Sequence, residues 1–446
     1  KNSLAILNMI ARQFESSSHR EQTAHEMSGT VVELLSAEEC EIVVRNALKL
    51  KPEESVEITS YELEKGSNEL VGFMGEYFKL RVQICGKHST YDIKELCCFV
   101  KSVPVSNELL RAECERKRFF RKEICAYTAI MPNIQKYATT KLYAECYYAR
   151  RDLLVLEDLS AAHLGYRHLA SDEPYTNRHR KLFLTHLAQL HAGSVAWEEK
   201  EGVNIGKQFE DSLFELMLIT ENEWYVTGAK GLIYLAKNYR KFQTPEIQSL
   251  IKDKLFPLLM DVQKYTEPST KLRNVFLHRD SWDRNIFFKF DANLEPTSCC
   301  IVDFQLSRYA PPGLDILFFL YGQTTADERK HHMQEYIDHY FSELQARFKA
   351  LDLPTDTITK AELLADIHRA HLPALIIMAI TKPLTMMPEG LSNKWHAEEQ
   401  EKFDYYMNTQ RDEFFQRIMA MDPTYESKIM WPIEELIAYL LKNRDL

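Results

Sequence analysis

The stretch "NVFLHRDSWDRNIFFKF", residues 274–290, decides the fold, because it places a run of charged and polar residues between two apolar segments. A further apolar segment, "CCIVDFQLSR" (299–308), follows and contains Asp303. Each apolar segment has the composition of a short buried β-strand. The sequence therefore predicts a small β-rich element in which one loop carries Asp280 and Asn285 and the next strand ends at Asp303.

This set of residues is typical of phosphoryl transfer, which requires a carboxylate near the acceptor hydroxyl and ligands for magnesium. We predict that Asp280 is the catalytic base. Asn285 and Asp303 are the predicted Mg²⁺ ligands, since the metal prefers oxygen donors and binds through few protein groups. His278 is predicted to be structural, with a hydrogen bond to the backbone near Asp303. The alternative, a polar loop of ordinary solvated residues, would not require both motifs in this order.

A lysine within an apolar strand needs a partner for its charge. Lys101 ends the strand-like segment "ELCCFVKSVP", and Glu123 lies on the next helical segment, "FFRKEICAY". A strand lysine paired with a glutamate on the following helix is how kinases hold the phosphates of ATP. We therefore predict that Lys101 and Glu123 form an ion pair at an ATP site; a lysine that reaches solvent from the strand end is the alternative.

Two further segments are candidates for binding ATP. The segment "LVGFMGEYFKLRV" contains Gly72 and Gly75 before a strand. It is less than a complete glycine-rich phosphate loop, and a hairpin turn describes it equally well. The segment "LLVLEDLS" (153–160) follows the β-rich part of the chain, and its backbone from Glu157 to Leu159 is predicted to bind adenine.

Composition limits the other possibilities. The 446 residues are 45% hydrophobic and 27% charged, as in globular proteins, and the net charge of −10 argues against general nucleic-acid binding. The nine cysteines form no C-x-x-C pair, so we expect reduced thiols in a cytoplasmic protein. The longest apolar run, 372–380, is shorter than a membrane-spanning helix, which takes about 20 residues. We predict no membrane span, and the oligomeric state stays open.

The distribution of patterns predicts an α+β, two-lobed protein-kinase-like fold. Residues 1–30 form a predicted N-terminal extension and polar linker, and 31–158 a β-rich N-lobe that binds nucleotide. That lobe contains a predicted helix over 31–50 and another over 108–132, which should stop at Pro132. Residues 159–446 form a mainly helical C-lobe for catalysis and substrate binding.

The predicted enzyme is not a protein kinase. Helix is predicted to resume at Asp315, only twelve residues after Asp303, so there is no room for a peptide-binding activation segment ending in Ala-Pro-Glu. Arg279 completes an HRD triplet, but no phosphorylated segment would need its guanidinium. We therefore expect Arg279 to have a negative φ, to face solvent or Asp283, and to be dispensable for catalysis.

The segments "LVLEDL", "LAQLHAGS", "HRDSWDRNIFF" and "IVDFQLSRYAPPGLDILFFLY", in this order, resemble the insect ecdysteroid kinase-like family of the aminoglycoside phosphotransferase and choline kinase group. The resemblance spans roughly residues 35–430. It implies ATP- and Mg²⁺-dependent phosphorylation of a hydroxyl on a small molecule, typically an ecdysteroid. It also implies that Asp315 braces the catalytic loop. The family usually has Gly where this chain has Arg279.

Three functions follow as alternatives: a kinase for ecdysteroids, a detoxifying kinase for xenobiotic alcohols or phenolics, and a nucleotide-binding pseudokinase. Retention of the complete set of predicted catalytic residues argues against the last. Aromatic residues near the catalytic motifs, Trp282 and Tyr309, are candidates for lining the acceptor pocket, although packing in the core explains them equally well.

Overall fold

The computed structural model describes residues 34–65, 75–85, 95–104, 108–170 and 173–443. The chain divides into two compact units: unit 1 comprises residues 1–136 and 143–167, and unit 2 comprises residues 137–142 and 168–446. Unit 1 is rich in β-strands and unit 2 is mainly helical, so the predicted α+β, two-lobed kinase-like fold is confirmed. The predicted N-terminal extension, 1–30, lies outside the described residues.

Unit 1 is built on a five-stranded antiparallel sheet with the order β1-β2-β3-β5-β4. The strands are β1 (Glu57–Lys65), β2 (Glu76–Cys85), β3 (Glu95–Ser102), β4 (Cys146–Arg150) and β5 (Leu153–Glu157), followed by the two-residue strand β6 (Tyr166–Arg167). The helices are α1 (Ala37–Ala47), α2 (Glu108–Lys117), α3 (Phe119–Cys125) and α4 (Met131–Gln135). The strands β2, β3 and β5 lie in the middle of the sheet, where β-branched and other apolar residues alternate between its faces.

The first helix begins at a capping box. The side chain of Ser36 accepts a hydrogen bond from the backbone of Glu39, and Glu39 accepts one from the backbone of Ser36. The buried face of α1, which includes Val43 and Val44, packs into the core of the sheet. The helix predicted over 31–50 is therefore present as the shorter helix α1.

The helix predicted over 108–132 differs from the structure at two points. It is interrupted at Arg118, which has a φ of +58°, and it continues beyond Pro132 to Gln135. A π-helical turn, Ala126–Ile130, precedes α4, and Pro132 lies in the first turn of α4. Proline is tolerated in the first turn because the N–H it lacks has no regular partner there. The predicted stop at Pro132 was wrong for this reason.

Unit 2 contains the polar motifs within a small β-structure surrounded by helices. Its strands are β7 (Val275–Leu277), β8 (Ile286–Phe290), β9 (Pro296–Ile301) and β10 (Arg308–Ala310). Its helices are α5 (Asn177–Glu201), α6 (Ile205–Gln208), α7 (Glu223–Asn238), α8 (Pro245–Ser249), α9 (Phe256–Met260), α10 (Gly313–Gln323), α11 (Ala326–Ala350), α12 (Lys360–Thr385), α13 (Leu391–Glu398), α14 (Gln400–Asn408), α15 (Asp412–Met421), α16 (Tyr425–Ile429) and α17 (Trp431–Lys442).

Two antiparallel strand pairs position the motifs that are predicted to be catalytic. Strand β8 pairs with β9, with Ile286 opposite Ile301, and β7 pairs with β10, with Leu277 opposite Arg308. The sequence patterns predicted the first three of these strands but missed β10, which lies between Asp303 and α10. Long helices surround the strands: α5 packs against α11, and α10 packs against α12.

One stretch in unit 2, Thr355–Thr385, is long and apolar enough to cross a membrane by length and composition. In the most apolar 18-residue segment of this stretch, 61% is buried within the structure. The helix it contains, α12, packs against α10 and α17. Core helices of folded proteins meet the same criterion, so this helix is weak evidence for a membrane span.

Candidate active site

The predicted catalytic loop connects β7 to β8 and is held by its own side chains. The amide nitrogen Nδ2 of Asn285 donates hydrogen bonds of 2.9 Å to the backbone oxygen and to Oδ2 of Asp280. Asp280 itself is partly exposed, whereas Asn285 is buried. Asn285 therefore holds the carboxylate of Asp280 in place, in a residue that is not fully buried.

His278 connects this loop to the strand that leads to Asp303. Its Nε2 lies 2.9 Å from the backbone oxygen of Val302, and its Nδ1 accepts a hydrogen bond of 3.1 Å from the backbone nitrogen of Asp280. These partners assign the ring proton to Nε2. Burial lowers the pKa of His278 and favours this neutral form. The predicted hydrogen bond from His278 to the backbone near Asp303 is present.

Asp303 follows β9 in a left-handed backbone conformation, with a φ of +67°. Aspartate is one of the few residue types that adopt this conformation at moderate cost. Next to it, the backbone nitrogen of Val302 donates a hydrogen bond of 3.0 Å to the backbone oxygen of Asn285. This bond ties the segment that carries Asp303 to the segment that carries Asn285.

The donor set formed by Asn285 and Asp303 fits a magnesium ion. Because Nδ2 of Asn285 is used by Asp280, the carbonyl oxygen Oδ1 of Asn285 is the atom available to a metal, together with the Asp303 carboxylate. No group of three or more His, Cys, Asp or Glu residues with the arrangement of a metal site occurs within the described parts of the chain. Magnesium in ATP-dependent enzymes requires no such group, because phosphate oxygens and water complete its coordination.

Asp315 holds the backbone of the catalytic loop. From the first turn of α10, its Oδ2 accepts a hydrogen bond of 2.8 Å from the backbone nitrogen of His278, and its Oδ1 accepts one of 2.7 Å from that of Arg279. His191 Nε2 lies 3.3 Å from Oδ2, and Tyr340 is hydrogen-bonded to the other ring nitrogen. Burial opposes ionisation, but these bonds outweigh it and lower the pKa of Asp315. Sequence reasoning missed His191 and Tyr340 as supports of this brace.

The predicted backbone conformation and side-chain orientation of Arg279 were wrong, whereas its dispensability for catalysis stays a prediction. Its φ is +71°, and its side chain is buried, with only 2% exposed. The guanidinium lies 3.3 Å from Glu215 and 4.7 Å from the ring centroid of Phe318, and it does not face solvent. The two hydrogen bonds to Asp315 fix the loop backbone in this turn, where glycine has the lowest conformational cost. The guanidinium is charged and buried, so it needs the partner that Glu215 supplies.

Glu215 serves two arginines. Its carboxylate lies 3.6 Å from Arg308, in β10, as well as close to Arg279, and it accepts backbone hydrogen bonds from residues 216–218. Burial acts to raise the pKa of Glu215, but the two guanidinium charges outweigh it and hold that pKa at about 2. Neither Glu215 nor Arg308 was identified from the sequence, because no local pattern marks an ion pair between residues so far apart in the chain.

In unit 1, Lys101 and Glu123 form the predicted ion pair. The two charged atoms lie 2.7 Å apart, and their side chains are only 4% and 1% exposed. The ammonium group also lies 5.9 Å from the ring centroid of Phe120. Strand β3 and helix α3 thus bring a lysine and a glutamate together in the interior of unit 1. That this pair binds phosphate stays a prediction.

The predicted phosphate cover is described only in part. Gly72 lies outside the described residues. Gly75 immediately precedes β2, and a Cβ atom at this position would lie 3.2 Å from the backbone oxygen of Ser102 and 3.5 Å from Cε of Lys101. The backbone at Gly75 therefore approaches the Lys101 side chain closely. Its proposed contact with ATP stays a prediction.

The predicted adenine-binding segment has some of its backbone groups already occupied. The backbone nitrogen of Glu157 donates a hydrogen bond of 2.8 Å to the oxygen of Glu145, and the oxygen of Leu159 accepts one of 3.1 Å from Tyr166. Asp158, between them, forms an ion pair of 2.9 Å with Lys79. If this segment binds adenine as predicted, the contacts must use the remaining groups, which include the backbone nitrogen of Leu159.

The two predicted acceptor-binding aromatics differ in their surroundings. Trp282 is partly exposed in the catalytic loop. Tyr309, in β10, donates its hydroxyl to the Glu198 carboxylate at 2.8 Å, and its ring lies against Gly206, where a Cβ atom would be 2.4 Å away. Tyr309 is thus held rigidly by its hydroxyl and its ring face. Contact of either residue with an acceptor stays a prediction.

Comparison with known proteins identifies the family. A model of the ecdysteroid kinase-like family matches residues 72–353, which is more than half of the chain. The chain belongs to this family, and membership indicates a kinase-like phosphotransferase that acts on small molecules. No curated protein matches the chain.

The buried pair in unit 1 predicts strong coupling between its members. Lys101→Met and Glu123→Leu should each lower the free energy of unfolding by about 3–5 kcal/mol, because each removes one partner of a buried ion pair. The double variant should lose much less stability than the sum of the two single losses.

The unfolding of unit 1 requires a probe within that unit, because the five tryptophans lie between residues 197 and 431, outside it. Mass-spectrometric labelling of the buried thiol Cys98 in urea is the appropriate measurement. As a control, Arg151→Met removes an exposed ion pair with Glu115 and should cost about 1 kcal/mol or less. Additive effects would mean that Lys101 and Glu123 are not coupled.

The left-handed conformation of Arg279 predicts a difference between two replacements. Arg279→Gly and Arg279→Ala both remove the guanidinium and should destabilise unit 2 by about 3 kcal/mol, the low end for a broken buried pair, because Arg308 still faces Glu215. Alanine should cost about 1 kcal/mol more than glycine, since it alone is strained at positive φ. Chemical unfolding followed by tryptophan fluorescence measures both. Equal stability of the two variants would contradict the positive φ.

Proposed function

Because the chain belongs to the ecdysteroid kinase-like family, we propose that it is an ATP- and Mg²⁺-dependent kinase that phosphorylates a hydroxyl group of a small molecule, with an ecdysteroid as the acceptor. The observation that carries the proposal is the geometry of Asp280: its carboxylate is positioned by Asn285, its backbone by His278, and the loop by Asp315. Such a network serves a proton acceptor that must keep one orientation.

In the proposed reaction, the acceptor hydroxyl gives its proton to the Asp280 carboxylate as its oxygen forms a bond to the γ-phosphorus of ATP, and the bond from that phosphorus to the bridging oxygen of ADP breaks. Asn285 holds the carboxylate oxygen Oδ2, so the basic group is oriented before the acceptor binds. Asn285 and Asp303 would hold Mg²⁺, which neutralises charge on the phosphates when it is bound.

The Lys101–Glu123 pair has a separate role in this proposal. Glu123 fixes the ammonium of Lys101 in one position, and that ammonium would then bind the α- and β-phosphates as a preorganised cation. A lysine without this partner would be expensive to keep charged in the interior. As part of the same proposal, we place the protein in the cytoplasm, where its nine cysteines, none of them in a disulfide, would stay reduced.

The direct test is an assay of purified protein with ATP and MgCl₂ against a panel of ecdysteroids, plant phenolics and other hydroxylated xenobiotics, with the mass increase of one phosphoryl group as the readout. Phosphorylation of ecdysteroids is the expected result. Phosphorylation of phenolics alone would favour the detoxifying kinase. ATP binding without transfer to any acceptor would favour the pseudokinase.

Replacement of the proposed base separates catalysis from nucleotide binding. Asp280→Asn should lower kcat by about 10²–10⁴-fold, the contribution of a general base. The Kd for Mg-ATP should stay nearly unchanged, because the proposed base acts on the acceptor and not on the nucleotide. Asp327→Asn, at an exposed aspartate, is the control and should keep the wild-type rate. A near-normal rate in Asp280→Asn would exclude Asp280 as the base.

Replacement of the proposed metal ligand should act through magnesium. Asp303→Ala should abolish turnover and weaken binding of Mg-ATP by about tenfold or more, since it removes a charged oxygen ligand. Affinity for ATP in the presence of EDTA should change much less. Calorimetric titrations with and without MgCl₂ make the comparison, and equal losses in both conditions would contradict a metal-binding role.

A further inference from the structure

Unit 2 contains a cavity of about 410 Å³ whose lining does not include Asp280, Asn285 or Asp303. Its walls come from three parts of the chain: residues 206–221, residues 263–268, and the β10 residues Arg308 and Tyr309. We call it the glutamate cavity, because Glu210, Glu215, Glu221 and Glu267 are among its lining residues.

The glutamate cavity adjoins the catalytic loop through direct contacts. Its wall residue Glu215 lies 3.3 Å from the guanidinium of Arg279, the residue immediately before Asp280. Its wall residue Arg308 is opposite Leu277 in the β7–β10 ladder, and Leu277 immediately precedes the loop. Both walls are therefore attached to the segment that carries the proposed base.

The charges of the cavity favour hydrogen-bond donors over anions. Arg308 lies 3.6 Å from Glu215 and 3.7 Å from Glu267, so its charge is already matched. Glu210 and Glu221, at the exposed edge of the cavity, form no ion pair with any residue in the described part of the chain. An anionic ligand would meet uncompensated carboxylates, whereas hydroxyl groups would find acceptors.

Part of the lining is apolar. Leu213, Phe214, Ile219 and Pro268 contribute carbon surface to the walls. The ring of Tyr309 is fixed, because it lies against Gly206 and its hydroxyl is bound by Glu198. A rigid apolar surface beside carboxylates is suited to a molecule with a rigid carbon skeleton and several hydroxyl groups.

We propose that the glutamate cavity is the binding site for the acceptor, and that it selects uncharged, hydroxyl-rich molecules with an apolar skeleton over anionic ones. This inference rests on the proposed kinase function and specifies its acceptor. Glu210 and Glu221 are the residues that set the charge preference, and the backbone at Gly206 provides the space occupied by Tyr309.

The charge preference is tested by binding, in the absence of ATP, of two matched probes: an ecdysteroid hemisuccinate and its methyl ester. They have nearly the same size and differ by one carboxylate. Wild-type protein should bind the ester about tenfold or more tightly than the free acid at low salt, because Glu210 and Glu221 repel the added carboxylate and salt screens this repulsion little under these conditions. The double variant Glu210→Gln/Glu221→Gln should reduce that ratio to about threefold or less.

The control is the double variant Glu389→Gln/Glu398→Gln, at two exposed glutamates that are far from the cavity residues in the sequence. It has the same change in net charge and should keep the wild-type ratio of the affinities for ester and acid. Isothermal titration calorimetry measures all three proteins. Equal binding of both probes by wild type, or the same ratio in wild type and the cavity variant, would overturn the proposal.

A steric variant tests the site independently of charge. Gly206→Ala places a methyl group against Tyr309 and should raise the KM for the acceptor about tenfold or more, with the KM for ATP unchanged, because the ring must move into the cavity. If wild-type protein phosphorylates ecdysteroids but neither Gly206→Ala nor Glu210→Gln/Glu221→Gln changes the KM for the acceptor, the cavity assignment is overturned. The proposed kinase function would then stand. Selective binding of the neutral probe without phosphoryl transfer would overturn the kinase function instead.

Discussion

The catalytic loop depends on one carboxylate, that of Asp315. Each of its oxygens accepts a hydrogen bond from one of two consecutive backbone N–H groups, those of His278 and Arg279. A buried, ionised aspartate is expensive unless its oxygens are satisfied, and here His191 adds a further contact. The carboxylate requires hydrogen-bond donors and the two N–H groups require acceptors. Their interaction determines the path of the loop, and with it the position of Asp280.

The backbone conformation of Arg279, whose N–H group binds Asp315, is unusual for a residue other than glycine. Directly after the N–H groups of His278 and Arg279, the chain turns through a left-handed conformation at Arg279, with a φ of +71°. Glycine would adopt that conformation without strain. An arginine there costs conformational free energy and must also bury its charge, and the cluster of Glu215, Arg308 and Phe318 offsets part of that cost. The loop that Asp315 holds is thus linked through Arg279 to Glu215, which is far away in the sequence.

The sequence was informative where a local pattern meets a chemical requirement. A lysine in an apolar strand requires a counter-charge, and the next helix offered Glu123; polar residues after apolar strands located Asp280, Asn285 and Asp303. The sequence was uninformative where a strand or an ion pair depends on contacts between residues that are distant in the chain. Strand β10 is three residues long and is defined by its pairing with β7, and Glu215 is one of many glutamates until the fold brings it to Arg279. The stop predicted at Pro132 failed because a π-helical turn precedes the proline.

The Arg279–Glu215 interaction gives the arginine of a kinase-like loop a partner within the same unit. In protein kinases, the corresponding arginine is engaged only when a residue of the activation segment is phosphorylated, which makes the loop switchable. Here a carboxylate from the same unit takes the position of that phosphate, and the charges of Arg279 and Arg308 lower its pKa and keep it ionised. The ion pair therefore forms without a phosphorylated residue, in contrast to that of the arginine in a protein kinase.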